Sequence, residues 1–206
     1  MRKLVTISRE YGSGGREIAK LLAEKLDVPF YDRDTIDAAL IEEGYSKEFI
    51  RGAEQKAKSG FAYSLAGALG FNDSGNLSIN DKLFLAHFEV IKKIAETGEG
   101  VIVGRCADYV LKDMPGVTNV FLYAEMEDSV RRAQNKYGVE GDYEAVEKHV
   151  IQYNKARANY YNYHTGLHWG DVKNYNLALN TSYISFEEAA TLIANYVESR
   201  EYKEEL

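Results

Sequence analysis

Along the chain, short β-branched apolar runs alternate with longer stretches whose apolar positions recur every three or four residues. Leu4 to Ile7 is the first such run. The stretch SREYGSGGRE then leads into a helix with Ile18, Leu21, Leu22 and Leu26 at helical spacing. Val28 to Tyr31 reads as a short buried strand, and Thr35 to Glu43 as a helix. Residues 44–80 have no clean period and mix Gly, Ser, Asn and Asp with scattered aromatics, which predicts broken helices, loops and a flap. Asn80-Asp81 is the expected N-cap of a helix through Leu83, Phe84, His87, Phe88, Ile91 and Ile94, which Gly98 and Gly100 end. Val101 to Val103 is typical of a strand buried on both faces. Val117 to Ala124 is a further strand, Glu127 to Tyr137 a charged helix, Tyr143 to about Tyr163 a tyrosine-rich helix, and Asn176 to Asn180 a last strand. Ser185 and Glu188 have the spacing of a capping box. An apolar stripe of Ala189, Leu192, Ile193, Tyr196 and Val197 follows.

Strands separated by helices predict a three-layer α/β fold around a five-stranded parallel sheet, formed as one domain over residues 1–206. Ligands of such sheets bind beyond the carboxyl ends of the strands. Those ends are Ser8 to Gly15, Asp32 to Asp34, Gly104 to Asp108 and Glu125 to Asp128. All of them carry acidic residues and all but the last carry arginine, the make-up of a phosphate-binding cleft. A length of 206 residues at 45% hydrophobic content allows one sizeable core. No apolar run reaches the ~18 residues of a membrane span. MRKLVTISRE passes directly into a strand, leaving no room for a signal peptide, and Cys106 is the single cysteine. These features predict a cytoplasmic protein. The net charge of -7 argues against coating a nucleic acid polymer, but a small phosphorylated ligand needs only a local knot of arginines.

The glycine-rich loop is the densest candidate chemistry. In the phosphate loop GxxxxGK[ST], lysine reaches the terminal phosphates and the hydroxyl residue holds magnesium. Laid on this chain, the motif puts Gly12, Ser13 and Gly14 in register and Gly15 in the place of lysine. Arg16 and Glu17 follow, and the motif's first glycine becomes Arg9. Backbone N–H groups can still cradle phosphate. The cation must come from elsewhere, with Arg16 the nearest candidate and Arg9 behind it. A tight strand-to-helix turn without a ligand is the plain alternative. A dinucleotide reading of Gly12-x-Gly14 with Asp32 is disfavoured by Glu17 at the third glycine. His164 and His168 have helical ligand spacing but flank Gly166 and lack the HExxH carboxylate, so zinc is not expected. Ser13 has no evident histidine partner. Cys106 reads as an inert buried thiol. Tyr160, Tyr161, Tyr163 and Trp169 are expected to seal a lid against the core rather than stack on a base.

TISREYGSGGREIAKLLAEKL, PFYDRD, VIVGRCADYVL and RANYYNYHTGLHWGD together resemble the cytidylate kinase-like family of P-loop proteins, over about residues 1–195. The resemblance implies a P-loop NTPase-type fold with a helical lid near residues 127–170. It implies phosphoryl transfer from ATP, with Mg²⁺, to a nucleoside monophosphate, CMP-like as the first expectation. It also implies that Gly12, Ser13, Gly14, Gly15, Arg16 and Glu17 hold the donor phosphates and that Asp32, Arg105 and Asp108 bind the acceptor. Arg131, Arg132 and Arg157 would close as lid arginines, with surface ion pairing as their plain alternative. Metal ligands are not specified, Glu17 or Glu125 acting through water being the candidates. Asn154 and Asn176 stand where the family pattern has Asp. A regulatory nucleotide-binding module without phosphoryl transfer is the main alternative, and a kinase of another small molecule a lesser one. An enzyme requires Arg16, Arg105 and Arg157 to point into one cleft.

Overall fold

The computed structural model describes residues 3–58 and 77–200. Its strands are β1 (Lys3–Arg9), β2 (Phe30–Tyr31), β3 (Glu99–Val103), β4 (Val117–Tyr123) and β5 (Leu177–Asn180). Its helices are α1 (Gly15–Leu26), α2 (Arg33–Glu42), α3 (Lys47–Lys58), α4 (Ile79–Glu96), α5 (Ala107–Val110), α6 (Met126–Tyr137), α7 (Tyr143–Thr165) and α8 (Phe186–Ser199). The strands form one parallel sheet in the order β2-β3-β1-β4-β5, so β1 is central and its loop opens at the middle of the carboxyl edge.

The continuous apolar character of β1 follows from helices covering both faces. Val5 and Ile7 pack with Val101, Val120 and Leu122 against Ile18 and Leu22 of α1 and Ile193 of α8. Leu4 faces the other way, with Ile102 and Val117, against Ile36, Leu40, Leu83 and Ile91 of α2 and α4. Each fully buried Leu or Ile here contributes roughly 1.5–3 kcal/mol. A third apolar cluster joins Val130 and Ala133 of α6 to Val146 and Val150 of α7, making these two helices a unit that leans on Tyr11. Among the described residues no helix is long and apolar enough to cross a membrane.

Several local expectations change. Residues 47–58, read as broken, form the continuous helix α3. Ser46 Oγ accepts from the Phe49 N–H at its start, and Ile50 and Ala53 are buried one turn apart. Residues 59–76 of the expected flap lie outside the described residues. The N-cap of α4 is Ser78 rather than Asn80-Asp81: its Oγ accepts from the Asp81 N–H at 3.1 Å and donates to the Asp81 carboxylate at 2.6 Å. The capping box of α8 forms as expected, but the buried stripe is Ala189, Ala190, Ile193, Ala194 and Val197. Leu192 stays 49% exposed, because the close approach of α1 selects the small alanines for the inner face.

Candidate active site

The loop after β1 is held by its neighbours. Gly12 and Gly14 both have left-handed backbone, with φ of 83° and 73°. A Cβ on Gly12 would lie 2.5 Å from the Ser129 Cα, and one on Gly14 would lie 2.2 Å from the Phe186 ring. These glycines are therefore required by α6 and α8 pressing on the loop. Arg132 donates to the Gly12 carbonyl at 3.0 Å and to Thr181, whose hydroxyl in turn donates to the Ser13 carbonyl at 2.8 Å. Ser13 is buried and its Oγ donates to the Glu10 carbonyl, so it is unavailable as a nucleophile. Side chains cap α2, α4, α7 and α8, whereas α1 starts at Gly14 with no side-chain cap. The first-turn N–H groups of α1 are thus left for an anion.

Arg9 ends β1 and turns into the space above this loop. A Cβ on Gly15 would lie 2.6 Å from the Arg9 Cβ, and one on Gly104 would lie 2.1 Å from an Arg9 Nη. The stem of Arg9 therefore covers Gly15 and its guanidinium covers Gly104. Among the described residues no side chain hydrogen-bonds or ion-pairs with that guanidinium. Burial, then the charges of Arg157 and Arg105, lower its pKa from 12.5 to about 9, with Asp32 opposing.

Gly104, Arg105 and Cys106, directly after β3, all adopt left-handed backbone with φ of 77°, 56° and 55°. Two such non-glycine residues in a row store on the order of 1–2 kcal/mol each, a cost that collects at functional sites. Arg105 reaches Asp37, with Nη2 at 3.2 and 3.3 Å from the two carboxylate oxygens, and His87 Nε2 lies 3.0 Å from Asp37 Oδ1. Burial raises the Asp37 pKa, but the His87 hydrogen bond and the Arg105 charge outweigh it and hold the carboxyl below its usual range. Arg157 comes from the middle of α7. It donates to the Arg9 carbonyl at 2.9 Å, and its guanidinium carbon lies 5.8 Å from the centre of the Tyr11 ring.

Arg9, Arg105 and Arg157 line one cavity of about 650 Å³ between the sheet edge and α7, together with Arg33, Tyr153, Tyr160 and Trp169. Of the other expected site residues, Gly12 to Glu17, Asp32, Asp108, Arg131 and Arg132 all lie outside that lining. Arg16 leaves α1 on the outer side, 65% exposed, and donates to Asp32 Oδ2 through Nε at 2.8 Å and Nη2 at 2.5 Å. Arg131 is 60% exposed and pairs with Asp128 one turn back, because it and Arg132 are adjacent on α6 and face different ways. Arg132 faces inward but is committed to the loop backbone. Asp32 is the N-cap of α2 as well as the partner of Arg16. Burial raises its pKa, but the Thr35 N–H and Arg16 outweigh that and bring it below the usual range. Asp108 does not line the cavity but is buried behind Tyr161, which does: Tyr161 Oη donates to its Oδ2 at 2.7 Å, and burial pushes its pKa up. Burial likewise raises the Cys106 thiol, and His164 stacks flat on Phe84 at 4.2 Å with its pKa lowered to about 4.

Two departures from the family pattern have a direct explanation. Asn154 Oδ1 accepts from the Tyr11 N–H at 2.7 Å, and Asn176 Oδ1 accepts from the Asn119 N–H at 2.8 Å. Each uses only an acceptor oxygen, which aspartate would also provide. For magnesium, Arg16 fills the usual hydroxyl position and Glu17 is engaged by Lys136 at 3.1 Å and Tyr137 at 3.4 Å. Glu125 accepts from Asn180 at 2.8 Å, and among the described residues no cluster of three or more His, Cys, Asp or Glu could hold a metal. These residues do not fit a protein-held magnesium ion.

The model of the cytidylate kinase-like family matches residues 4–183. This chain belongs to the cytidylate kinase-like family. No curated protein matches it. Among solved structures, an uncharacterized protein from Eubacterium ventriosum is 24% identical with a TM-score of 0.72, over 96% of this chain and 99% of that one. Shikimate kinase from Bacteroides thetaiotaomicron is 15% identical with a TM-score of 0.57, over 96% and 99%. The YorR protein of Bacillus subtilis, in complex with phosphorylated GDP, is 16% identical with a TM-score of 0.51, over 97% and 98%. The family member thus has the fold of the P-loop kinases, while its cavity is lined by Arg9, a residue the motif reading placed second.

Proposed function

We propose that this protein transfers the γ-phosphoryl group of ATP to a small acceptor, a nucleoside monophosphate of the CMP type. The observation that carries this reading is the meeting of Arg9, Arg105 and Arg157 on one cavity, with the Arg9 stem lying over Gly15 at the uncapped start of α1. Guanidinium groups crowded into a half-buried space repel one another until an anion lies between them. A transferring phosphoryl group spreads its negative charge over several oxygens and is stabilised by such a cluster. In the reaction an acceptor oxygen bonds to the γ-phosphorus while the bond to the bridging oxygen breaks and ADP leaves. Donor phosphates would rest on the N–H groups at the start of α1, and Arg105 and Arg157 would hold the acceptor side. Charge on the transferring group would be met by these arginines, since Glu17 and Glu125 are engaged elsewhere and do not fit a protein-held Mg²⁺. The volume suits a nucleotide-sized ligand, and Tyr153, Tyr160 and Trp169 offer an aromatic wall. The phosphorylated GDP held by the YorR protein supports a nucleotide in this fold.

Two observations favour a second reading, nucleotide binding without transfer: Arg16, required in one cleft with Arg105 and Arg157, is held on the outer side by Asp32, and Arg105 rests on Asp37 instead of pointing free into the cavity. ADP formation from ATP and Mg²⁺ across a panel of nucleoside monophosphates and other small acceptors separates the two. Transfer predicts one acceptor that raises ADP formation well above background, and a loss of that rate in Arg105→Ala and Arg157→Ala. Background rates with every acceptor, while ATP still binds, support the regulatory module.

A further inference from the structure

We propose that Arg9 supplies the loop's missing cation, reaching the donor phosphates from the end of β1 across Gly15. The inference rests on the reading that this site binds a polyphosphate. The chain differs from the phosphate-loop motif at two positions: Arg9 stands at its first glycine and Gly15 at its lysine. The structure gives that pair a single cause. The Arg9 Cβ and Cγ lie 2.6 and 2.9 Å from where a Gly15 Cβ would stand, so the path by which a lysine would leave residue 15 is filled by the arginine stem. Gly104 is open for the same reason, since a Cβ there would meet the Arg9 guanidinium at 2.1 Å. The Arg9 stem thus accounts for Gly15, and its guanidinium adds to the left-handed φ of 77° that already favours glycine at residue 104.

The other cations near the loop are engaged. Arg16 is held by Asp32, Arg132 by the Gly12 carbonyl and Thr181, and Arg131 by Asp128. The Arg9 guanidinium, with no hydrogen-bond or ion-pair partner among the described residues, lines the cavity beside Arg105 and Arg157. The planar fork can bridge two phosphate oxygens, where lysine offers a point charge. The exchange therefore keeps the loop's positive charge and alters the geometry with which it meets phosphate.

Binding of inorganic tripolyphosphate and of MgATP, followed by calorimetric titration, tests the assignment in wild type, Arg9→Met, Gly15→Lys and Arg9→Gly/Gly15→Lys. Arg9→Met should bind both probes at least about tenfold more weakly, the loss of one charge-assisted contact. Gly15→Lys alone should also weaken binding, since its side chain collides with the Arg9 stem. The double variant should bind more tightly than Gly15→Lys or Arg9→Met, because it rebuilds a lysine loop in the cleared space. A folded Arg9→Met with wild-type affinity overturns the proposal, as does a folded double variant no better than Gly15→Lys. A measurement on the wild-type protein covers variants that fail to fold. In arginine-labelled protein, the Nε resonance that disappears in Arg9→Lys should shift on titration with tripolyphosphate, and a resonance that stays in place overturns the proposal. Wild type that binds neither probe removes the proposed function itself, whereas wild-type binding that is indifferent to residue 9 removes only this inference.

Discussion

Tyr161→Phe tests whether Asp108 is a buried support for the cavity-lining Tyr161 or a ligand for the acceptor. The substitution deletes one hydroxyl and keeps the ring, so packing against Phe84 and Cys106 is unchanged. What is lost is the 2.7 Å hydrogen bond to Asp108, between side chains of residues only 3% and 4% exposed. A buried hydrogen bond to a charged acceptor stabilises by ~1.5–3 kcal/mol. For a chain of 206 residues that corresponds to a fall in Tm of roughly 4–10 °C. The pH dependence has a definite sign. Burial holds the folded-state pKa of Asp108 above its unfolded value, and Tyr161 partly offsets that. A carboxyl raised in this way favours the fold at low pH, and that advantage is lost as pH rises through the folded pKa. Removing Tyr161 raises the pKa further, so the deficit should be largest near neutral pH and shrink as acid protonates Asp108 in both proteins. Urea unfolding at about pH 5 and 8 measures this. A deficit equal at both pH values, or below ~0.5 kcal/mol, refutes the reasoning. Unchanged stability with weakened acceptor binding would place Asp108 in the acceptor site instead.

Three further outcomes follow from the same geometry. Arg9→Met should be more stable than wild type in phosphate-free buffer by about 1–2 kcal/mol, after screening by water in the open cavity. Its guanidinium pKa is lowered on folding, so below the folded value both states are charged and the full penalty of burial applies. Scanning fluorimetry should also show that the variant no longer gains Tm from added phosphate; a destabilised variant contradicts the charge argument. Gly14→Ala should cost about 2–4 kcal/mol, combining a left-handed φ of 73° with a Cβ 2.2 Å from the Phe186 ring, and Phe186→Leu should recover part of the loss. Asp37→Asn should flatten the acid limb of stability. The folded-state pKa of Asp37 lies below its unfolded value, so its contribution is present above the unfolded pKa and disappears as pH falls through the folded one. An acid limb identical to wild type would show that His87 and Arg105 do not depend on that carboxylate.

The period of the apolar positions was enough to give the layers and the parallel sheet, because strands buried on both faces have no polar alternation to confuse them. Helix starts were less legible. Ser78 and Ser46 both cap helices, yet each lies in a stretch whose average composition reads as loop, and a cap is a property of one residue and its third neighbour. The strand-end rule points to Arg105, which lies on the cavity, since glycine and arginine directly after a buried strand have few other uses. It could not distinguish Arg131 from Arg132, where helix phase decides, nor find Asp37, which lies mid-helix and is selected by what crosses over it.

The glycines of the loop are where sequence and structure differ in meaning rather than in position. A motif reading treats them as room for phosphate. In the structure Gly12 makes room for α6, Gly14 for Phe186, Gly15 for the Arg9 stem and Gly104 for its guanidinium. Only the last two bear on chemistry, and they do so together. A lysine loop needs glycine at its first position and a side chain at residue 15; this loop has the side chain at residue 9 and the glycine at 15. The departure at Gly15 therefore cannot be weighed as a lost catalytic group until residue 9 is read with it. The relevant unit is the pair, and a substitution at either member alone is predicted to leave the loop with a collision or without a cation.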